Sequence, residues 1–470
     1  MHPRMRVLLL TATLLTLGLA GCLGSDTDTP RPGTGPQGAM AEGPAGITFS
    51  DPMLIDEVRA GGEPVIAITQ AGSILVSAHP GWTHYHPSED PTHPGSELLE
   101  PASGQSYLWK SEDGGETWRH IGLPGQEEGP RSTGFGVSDP EFTVMEDGTI
   151  CYTDLEALAS SSVSCSEDDG ETWTGNPVAS QRPNDRQWLA SYQDELYFTA
   201  NYFTDHDLLA STDKGITWEE RGDVPCSGDI IADRTDGTIL AGCGTGVAIS
   251  EDGGFTWEER LVPGADGGSG FYMTEPALDS QGNVWIAWEE GEERLVLAGS
   301  PDHGESWPWV HDITAPVREA LGGAQDLTMV WHWVSAGSQG RVAVSVFATP
   351  TPPPSDAGPA DRLWSVVTVA AFQADSGTPG LAGHLVHEGH HQGAICQSGT
   401  TCQVGSVQGD ENSDRRLGDF FETTIDPEGN LHLTYSETTS HPDDVISHPA
   451  YVRRVGGPSF VVDGYTPTQG

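Results

Sequence analysis

Charged side chains stand just before, or at the start of, short apolar segments spread along this sequence, and they are the residues best suited to chemistry. Carboxyl groups exchange protons or accept hydrogen bonds from a ligand, and the planar guanidinium of arginine pairs bidentately with a carboxylate. If the apolar segments meet around one channel, these side chains form a catalytic or ligand-binding ring; otherwise they are solvated edge residues. The set is Glu63, Asp139, Glu141, Asp185, Arg186, Asp229, Glu275, His332, Arg415, Arg416 and Asp419.

The apolar segments that would position these side chains share one layout. Each has an apolar stretch, a turn containing Gly, Asp or Asn, and a second apolar stretch, which is the pattern of a β-hairpin. Seven copies occur, so the sequence predicts a chain built from repeated strand pairs. They lie at 64–76, 142–152, 188–198, 230–240, 277–288, 333–344 and 420–433.

An eight-residue pattern, Ser-x-Asp-x-Gly-x-(Thr/Ser)-Trp, recurs five times between these hairpins. Its copies begin 39 to 55 residues apart. A period of that order, made of strands and turns, indicates the blades of a β-propeller. The copies are Ser111–Trp118, Ser166–Trp173, Ser211–Trp218, Ser250–Trp257 and Ser300–Trp307.

The side chains of this pattern suit a structural role. Asp and Ser hydrogen-bond the backbone of a tight turn, Gly supplies a left-handed backbone angle, and Trp is a large apolar wedge between neighbouring blades. The alternative is that the aspartates are catalytic or bind metal. We predict a structural role for Asp113, Asp168, Asp213, Asp252 and Asp302.

The repeated pattern resembles the Asp box of the bacterial neuraminidase repeat. From about residue 46 to 456 the chain therefore resembles the sialidase-like β-propeller superfamily. The resemblance implies an all-β fold, a β-propeller of four-stranded antiparallel blades in one domain over 47–470. Seven units favour seven blades, with six as the alternative; residues 47–57 would add an outer strand that closes the ring. A sixth, decayed box lies around Asp375, and the seventh unit has none.

Sialidases, as the family implies, clamp the substrate carboxylate with three arginines and use a Tyr–Glu nucleophile pair and an Asp acid/base. In this chain the candidates for substrate binding are Arg186, Arg415, Arg416 and Asp419, and the catalytic candidates are Asp139, Glu141, Tyr272 and Glu275. The Phe/Tyr-Arg-Ile-Pro segment of the first sialidase blade is replaced here by residues 57–64, Glu-Val-Arg-Ala-Gly-Gly-Glu-Pro. That departure argues against true sialidase activity.

A histidine-rich segment at 387–391 formally matches the His-Glu-x-x-His pattern of zinc proteases. That chemistry needs both histidines on one face of a helix, and the flanking glycines in an all-β context argue against a helix. Metal binding by His384, His387 and His391 stays open as a weaker hypothesis. We expect no cofactor, with Ca²⁺ or Zn²⁺ as open alternatives.

The N-terminus reads as a lipoprotein signal over residues 1–22. A short basic start precedes an apolar stretch, and Leu19-Ala20-Gly21-Cys22 resembles a lipobox at which the signal is cut and Cys22 is lipidated. Residues 23–46 are rich in Gly, Pro, Thr and Asp and read as a flexible tether. We therefore expect a membrane partner through a lipid anchor and an extracytoplasmic, cell-surface location.

The net charge of −48 excludes nucleic acid as an expected partner and fits a saline environment, with an ordinary acidic extracellular protein as the alternative. Apart from Cys22, six cysteines form three pairs that are close in sequence. In an oxidising compartment such pairs predict local disulfides. The pairs are Cys151 with Cys165, Cys226 with Cys243, and Cys396 with Cys402.

Two functions fit the sequence. The first is a lipid-anchored, sialidase-like propeller that binds or hydrolyses a glycan at the channel mouth. The second is a non-catalytic propeller that binds a peptide or partner protein, or assists envelope assembly. The fold alone does not decide between them, and catalysis is left undecided.

Overall fold

The computed structural model describes residues 43–79, 106–122, 137–156, 160–180, 184–201, 206–265, 273–397, 413–442 and 446–466. The chain divides after Glu42, and all of these residues belong to the unit that begins at Gly43. The predicted lipidation site Cys22 and all but the last four residues of the predicted tether lie outside the described residues.

Before the first blade come two short strands, β1 (Thr48–Phe49) and β2 (Met53–Leu54). The first three blades are four-stranded antiparallel sheets in which sequence order equals spatial order from the channel outward. They are β3 (Gly62–Ile68), β4 (Ile74–His79), β5 (Tyr107–Ser111) and β6 (Arg119–Gly122); β7 (Val137–Val144), β8 (Ile150–Glu156), β9 (Ser160–Ser166) and β10 (Thr174–Ser180); and β11 (Asp185–Tyr192), β12 (Glu195–Asn201), β13 (Asp207–Ser211) and β14 (Glu219–Asp223).

The next three blades repeat this order, with one helix, α1 (Thr314–Ala320), between the fifth and sixth. They are β15 (Ile230–Ala232), β16 (Ile239–Gly242), β17 (Gly246–Ser250) and β18 (Glu258–Leu261); β19 (Ala277–Leu278), β20 (Val284–Glu290), β21 (Arg294–Ser300) and β22 (Trp309–Asp312); and β23 (Thr328–Ala336), β24 (Val342–Thr349), β25 (Leu363–Phe372) and β26 (Gly380–Gln392).

The seventh blade joins the two ends of the described chain. After the parallel pair β27 (Ala394–Ile395) and β28 (Ser413–Asp414) come β29 (Glu422–Ile425), β30 (Leu431–Glu437) and β31 (His448–Gly456). Both β1 and β2 then pair antiparallel with β31. The predicted ring closure by residues 47–57 and the predicted seven-bladed all-β propeller are both confirmed.

The five Asp boxes form closed turns between the third and fourth strands of blades one to five. In each box the Ser hydroxyl donates to the Asp at 2.8–3.0 Å, and the Asp accepts the Thr or Ser amide at 2.8–2.9 Å. The box glycine lies against the preceding blade: a Cβ on Gly215 would be 3.0 Å from Val163, and one on Gly254 would be 2.1 Å from Leu208. The box turns therefore help to join neighbouring blades.

The first box helps to close the ring. The Trp118 ring packs edge-on against Tyr451 of the last blade, with centroids 5.1 Å apart. The apolar faces of the blades are filled by buried side chains, the largest including Trp109, Trp188, Trp285 and Trp364. Burying a large aromatic side chain removes roughly 150–250 Å² from water, so these residues dominate the inter-blade packing.

Two of the three predicted disulfides are present, Cys151–Cys165 between β8 and β9 and Cys226–Cys243 across the β15–β16 hairpin. Cys396 is also disulfide-bonded, and its predicted partner Cys402 lies outside the described residues. The histidine-rich segment belongs to β26, which pairs with β25 and forms the outer edge of the sixth blade. Within the described residues, no helix is long and apolar enough to cross a membrane.

Candidate functional site

Four of the seven inner strands begin with a β-bulge that carries a non-glycine residue in the left-handed backbone region. The φ angles are 48° at Glu63, 53° at Asp139, 35° at Arg186 and 52° at Trp331, and the strand register shifts at each. Such backbone costs about 1–3 kcal/mol per residue and is concentrated where side chains must be re-aimed at a functional site. The bulges therefore lie at the end of the channel where the predicted charged residues are found.

Five residues make up what we call the mouth group: Glu63, Asp139, Asp185, Arg415 and Asp419. The Glu63 and Asp139 carboxyls hydrogen-bond to each other, and Glu63 also lies 3.0 Å from Nε2 of His79. Arg415 binds the Asp419 carboxylate through both terminal nitrogens and lies 3.8 Å from Glu63. Three blades and the segment before the seventh thus contribute charged groups to one place.

The acids of the mouth group hold their protons more tightly than usual. Burial raises the pKa of Glu63 to about 7, and burial together with the nearby Glu63 raises the pKa of Asp139 well above its ordinary value. Asp185 is exposed along one side and enclosed by protein on the others. That partial desolvation, with Asp139 and Asp419 close by, raises its pKa to about 7. The mouth group can therefore change its charge near neutral pH.

Deeper in the ring is the channel group, Glu141, Arg186, Asp229, Glu275 and Glu422, which come from five different blades or the segments that lead into them. Four of them, all but Arg186, line a cavity of about 60 Å³. Arg186 donates to Glu141 at 2.9 Å, and its guanidinium stacks between two rings. The ring centroids of Trp188 and Phe420 lie 3.4 Å and 4.0 Å from it.

The carboxyls of the channel group differ in how they are satisfied. Glu422 accepts a 3.0 Å hydrogen bond from the amide of Ile66 in the first blade and hydrogen-bonds Glu141. Oε1 of Glu422, Oδ1 of Asp229 and Oε2 of Glu275 have no hydrogen-bond partner, although all three side chains are buried. Oε2 of Glu275 lies 3.7 Å from Nε2 of His332. Glu141 and Glu422 are thus linked to each other, whereas the carboxyls of Asp229 and Glu275 each keep an oxygen that accepts no hydrogen bond.

Burial dominates the titration of the channel group. It raises the pKa of Glu275 to about 8 and raises the pKa of Asp229 and of Glu422 well above the ordinary range, with neighbouring carboxyls adding to it. Burial also raises the pKa of Glu141, against the opposing effect of Arg186. A buried base stands beside them: burial lowers the pKa of His332, but Glu289, whose carboxylate lies 2.9 Å away, and Glu275 outweigh this and raise it to about 9.

The three arginines predicted to clamp a substrate are each neutralised by a buried or half-buried acid. Arg186 pairs with Glu141 and Arg415 with Asp419. Arg416 binds the Asp414 carboxylate through Nε at 2.9 Å and Nη2 at 2.7 Å. Although burial by itself raises a carboxyl pKa, Arg416 holds the pKa of Asp414 well below its usual range.

The structure thus brings most of the predicted site residues together, in two groups rather than one ring. Arg416 is assigned to neither group, and its guanidinium pairs with Asp414. Tyr272, the predicted nucleophile, lies outside the described residues, so the proposed Tyr272–Glu275 pair stays a prediction. Sequence reasoning missed Glu422, although it follows Asp419 in the seventh repeat much as Glu141 follows Asp139 in the second.

The predicted histidine ligands do not meet at one point. All three lie on β26, where His384 packs near Phe49 with ring centroids 6.1 Å apart. His387 and His391 contact the hydroxyls of Tyr435 and Thr438, each at 2.8 Å. The His-Glu-x-x-His segment is a strand, so the helical geometry of a zinc protease is absent there.

A different set of potential metal ligands lies between the turn that joins β15 to β16 and the fifth Asp box. Among the described residues, the group of three His or acid side chains with ligand atoms within 4.8 Å of one another is Asp233, Asp236 and His303. Nε2 of His303 lies 3.0 Å from Asp233, and this contact raises the pKa of His303. His303 of the fifth blade and Asp233 of the fourth therefore already form an ion pair with each other.

No protein-family model matches this chain, and no curated protein matches it. Among solved structures, a protein of unknown function from Dyadobacter fermentans is similar at 14% identity, with a TM-score of 0.45, over 88% of this chain and 100% of that one. The NanB sialidase of Streptococcus pneumoniae is similar at 12% identity and a TM-score of 0.41, over 86% and 70% of the two chains. An intramolecular trans-sialidase from Ruminococcus gnavus is similar at 12% identity and a TM-score of 0.40, over 89% of this chain and 98% of that one. The fold assignment rests on the seven blades and their Asp boxes.

Proposed function

We propose that this protein is an exported, lipid-anchored Asp-box propeller that binds a neutral or amine-bearing glycan at the channel mouth. The observation that carries the proposal is the pairing of the predicted clamp. Arg186, Arg415 and Arg416 each contact a carboxylate within the protein. None of the three therefore offers an unpaired guanidinium to an anionic sugar.

The charge of the mouth supports the choice of ligand. Asp185 is exposed there, and Asp419 is partly exposed beside it. Ionised carboxylates are acceptors only, so they suit the hydroxyl and amine donors of a sugar and repel a carboxylate. Recognition of sialic acid would require breaking a buried ion pair, which typically costs 3–5 kcal/mol.

The proposed location rests on the sequence and on the disulfides. The basic start, apolar stretch and lipobox of residues 1–22 are features of an exported lipoprotein. Disulfides persist in oxidising compartments, and two are formed between described strands and loops. Both observations support a site that faces outward from the membrane.

Glycan-array binding by the purified full chain tests the proposal. We expect binding to neutral or amino sugars, no binding to sialosides, and no hydrolysis of a fluorogenic sialoside. Asp185→Asn should weaken binding, because it removes the exposed charge of the mouth. Asp194→Asn is the matched control, since Asp194 is exposed in the turn at the other end of β11. Preferential binding of sialosides, or equal losses in the two variants, would refute the assignment.

Glycoside hydrolysis is a second candidate, favoured by the hydrogen bond between Glu63 and Asp139. Two carboxyls that share a proton can act as acid and base, as paired carboxyls do in most glycosidases. Assays with neutral aryl glycosides test this candidate. Turnover that Glu63→Gln abolishes, with folding retained, would support hydrolysis. Absence of turnover would refute hydrolysis and leave glycan binding as the proposed function.

A further inference from the structure

We infer that the channel cavity binds one hydrated divalent cation between Asp229 and Glu275. The inference is independent of the glycan proposal, because it concerns the channel group rather than the mouth group. Asp229 comes from the start of the fourth blade and Glu275 from the start of the fifth. The ion would therefore join two adjacent blades at the axis of the ring.

The first step is the charge balance of the channel group. Arg186 offsets the charge of Glu141, and Glu422 hydrogen-bonds Glu141, which requires a proton between them. His332 lies between two acids, with Nδ1 2.9 Å from Glu289 and Nε2 3.7 Å from Oε2 of Glu275, so its single charge offsets one of them, and we count it against the nearer Glu289. Two carboxyls remain, Asp229 and Glu275, and a pair of buried carboxylates needs a compensating charge of about two or bound protons.

The second step is the state of the two carboxyl oxygens. Asp229 is 4% exposed and Glu275 is 2% exposed. Oδ1 of Asp229 and Oε2 of Glu275 accept no hydrogen bond from the described protein, and both residues line the cavity. A buried acceptor that is left without a partner is destabilising, and more so when it is charged. A cation between the two oxygens would satisfy both.

The third step is the choice of ion. The donors are carboxylate oxygens, which suit hard cations such as Mg²⁺ and Ca²⁺ rather than zinc, which prefers nitrogen and sulfur. The channel carboxyls do not supply three ligand atoms within 4.8 Å of one another, so water must complete the shell. A cavity of about 60 Å³ has room for an ion and a few waters, since one water needs roughly 10–15 Å³.

The test is calorimetric titration of the EDTA-treated full chain with MgCl₂ and, separately, CaCl₂ at constant KCl. We expect one ion per chain and a higher melting temperature when it binds. Asp229→Asn and Glu275→Gln keep the side-chain shape and remove the charge. Each should weaken binding by at least about 100-fold, the upper end of the loss caused by removing an outer-shell partner.

Asp236→Asn is the matched control, because it removes a carboxylate from the Asp233–Asp236–His303 group. The inference fails if the control loses the ion while Asp229→Asn keeps it. It also fails if native mass spectrometry of the unsubstituted chain shows no stoichiometric ion, a result that needs no folded variant. The Asp229→Asn/Glu275→Gln double variant should melt in EDTA no lower than the parent; a lower melting temperature would contradict the unpaired state of the two carboxyls.

Discussion

The carboxyl of Glu63 hydrogen-bonds the carboxyl of Asp139 across the seam between the first two blades. Two carboxylates cannot share such a contact unless one of them keeps a proton. Both residues stand in left-handed backbone at the bulges of their inner strands, so the backbone itself turns them toward each other. The proton they share links the protonation of the mouth to the stability of the ring.

We predict that stability falls as the pH rises from about 4.5 to about 7, because burial raises the pKa of the Glu63 carboxyl and the folded chain loses its proton in that range. The pKa of Glu63 is raised from 4.5 to about 7 in the folded chain, so the folded state binds more protons than the unfolded state in that window. The loss has an upper limit of about 3–4 kcal/mol, because each pKa unit corresponds to ~1.4 kcal/mol. Urea unfolding of the parent and of Glu63→Gln across this pH range measures it.

The Glu63→Gln variant should lose this part of the pH dependence, because its side chain does not titrate. The exposed Glu305→Gln substitution, in the fifth Asp box, should leave the pH profile of the parent unchanged. A Glu63→Gln profile that matches the parent would mean that other groups set the slope.

We predict that Asp414→Ala destabilises the protein by about 3–5 kcal/mol, because it leaves the buried Arg416 guanidinium without its carboxylate. The pair of the exposed Glu116 with Arg453 is the control, and Glu116→Ala should cost less than about 1 kcal/mol. Denaturant unfolding of both variants gives the comparison. A loss of sialoside or glycan binding in Arg416→Ala with unchanged stability would instead show that Arg416 contacts ligand.

We predict that Gly418→Ala is more harmful than Gly72→Ala, although both glycines stand in left-handed backbone. Gly418 has φ of 81°, and a Cβ there would lie 2.2 Å from Cγ of Glu63. Gly72 has φ of 85° with nothing within 4 Å of a Cβ, so Gly72→Ala carries the backbone strain alone. The strain costs roughly 1–2 kcal/mol in each, and overpacking adds about 1–3 kcal/mol at Gly418.

Thermal or urea unfolding of the two alanine variants measures that difference directly. Adding Glu63→Ala to Gly418→Ala should recover much of the extra loss of stability, since it removes the Cγ atom that the new Cβ would contact. Equal destabilisation by Gly418→Ala and Gly72→Ala would show that Glu63 moves aside without cost.

The fold could be predicted from the sequence because its determinants are local. The Ser and Asp of each Asp box hydrogen-bond residues at most four positions away, so the turn is encoded within eight residues. The hairpins before each box are equally local. Seven copies of one local unit then leave few architectures open, and the pairing of β1 and β2 with β31 closes the ring.

The site could be predicted only in part, because its contacts join residues far apart in sequence. The inner-strand positions of Glu63, Asp139 and Glu275 follow from the repeat. The partners do not: the hydrogen bond from Ile66 to Glu422 spans 356 residues, and no local pattern indicates it. The sequence alone predicts arginines that are available to a substrate, because their pairing with Asp419 or Asp414 arises only in the packed ring.

We predict that the Asp boxes differ in their contribution to stability from the decayed sixth box. Asp302 accepts hydrogen bonds from Ser300, from the amide of Ser306 and from its hydroxyl. Asp302→Ala should therefore cost about 1–3 kcal/mol, since each such bond contributes about 1 kcal/mol. Asp375 accepts a hydrogen bond from Gln339, so Asp375→Ala should cost about 1 kcal/mol or less. Urea unfolding of both variants is the measurement, and a larger loss at Asp375 would contradict the ranking.

We predict that Arg186 stabilises the ring itself, although its residue type and position first indicated a substrate clamp. Its guanidinium lies between the rings of Trp188 and Phe420 and binds Glu141. Arg186→Met keeps apolar contact with the rings but leaves Glu141 buried without a cation, so we expect a loss of about 3–5 kcal/mol in the free energy of unfolding.

Adding Glu141→Met to Arg186→Met should restore most of that stability, because a buried ion pair replaced by apolar side chains is often neutral or stabilising. Denaturant unfolding of the single and double variants, with glycan binding measured on the same samples, distinguishes the two roles. For a positioning residue of the ring, the double variant regains stability and keeps binding, since the mouth group is intact. For a clamp, the single variant stays stable and loses binding, and the double variant does not recover it.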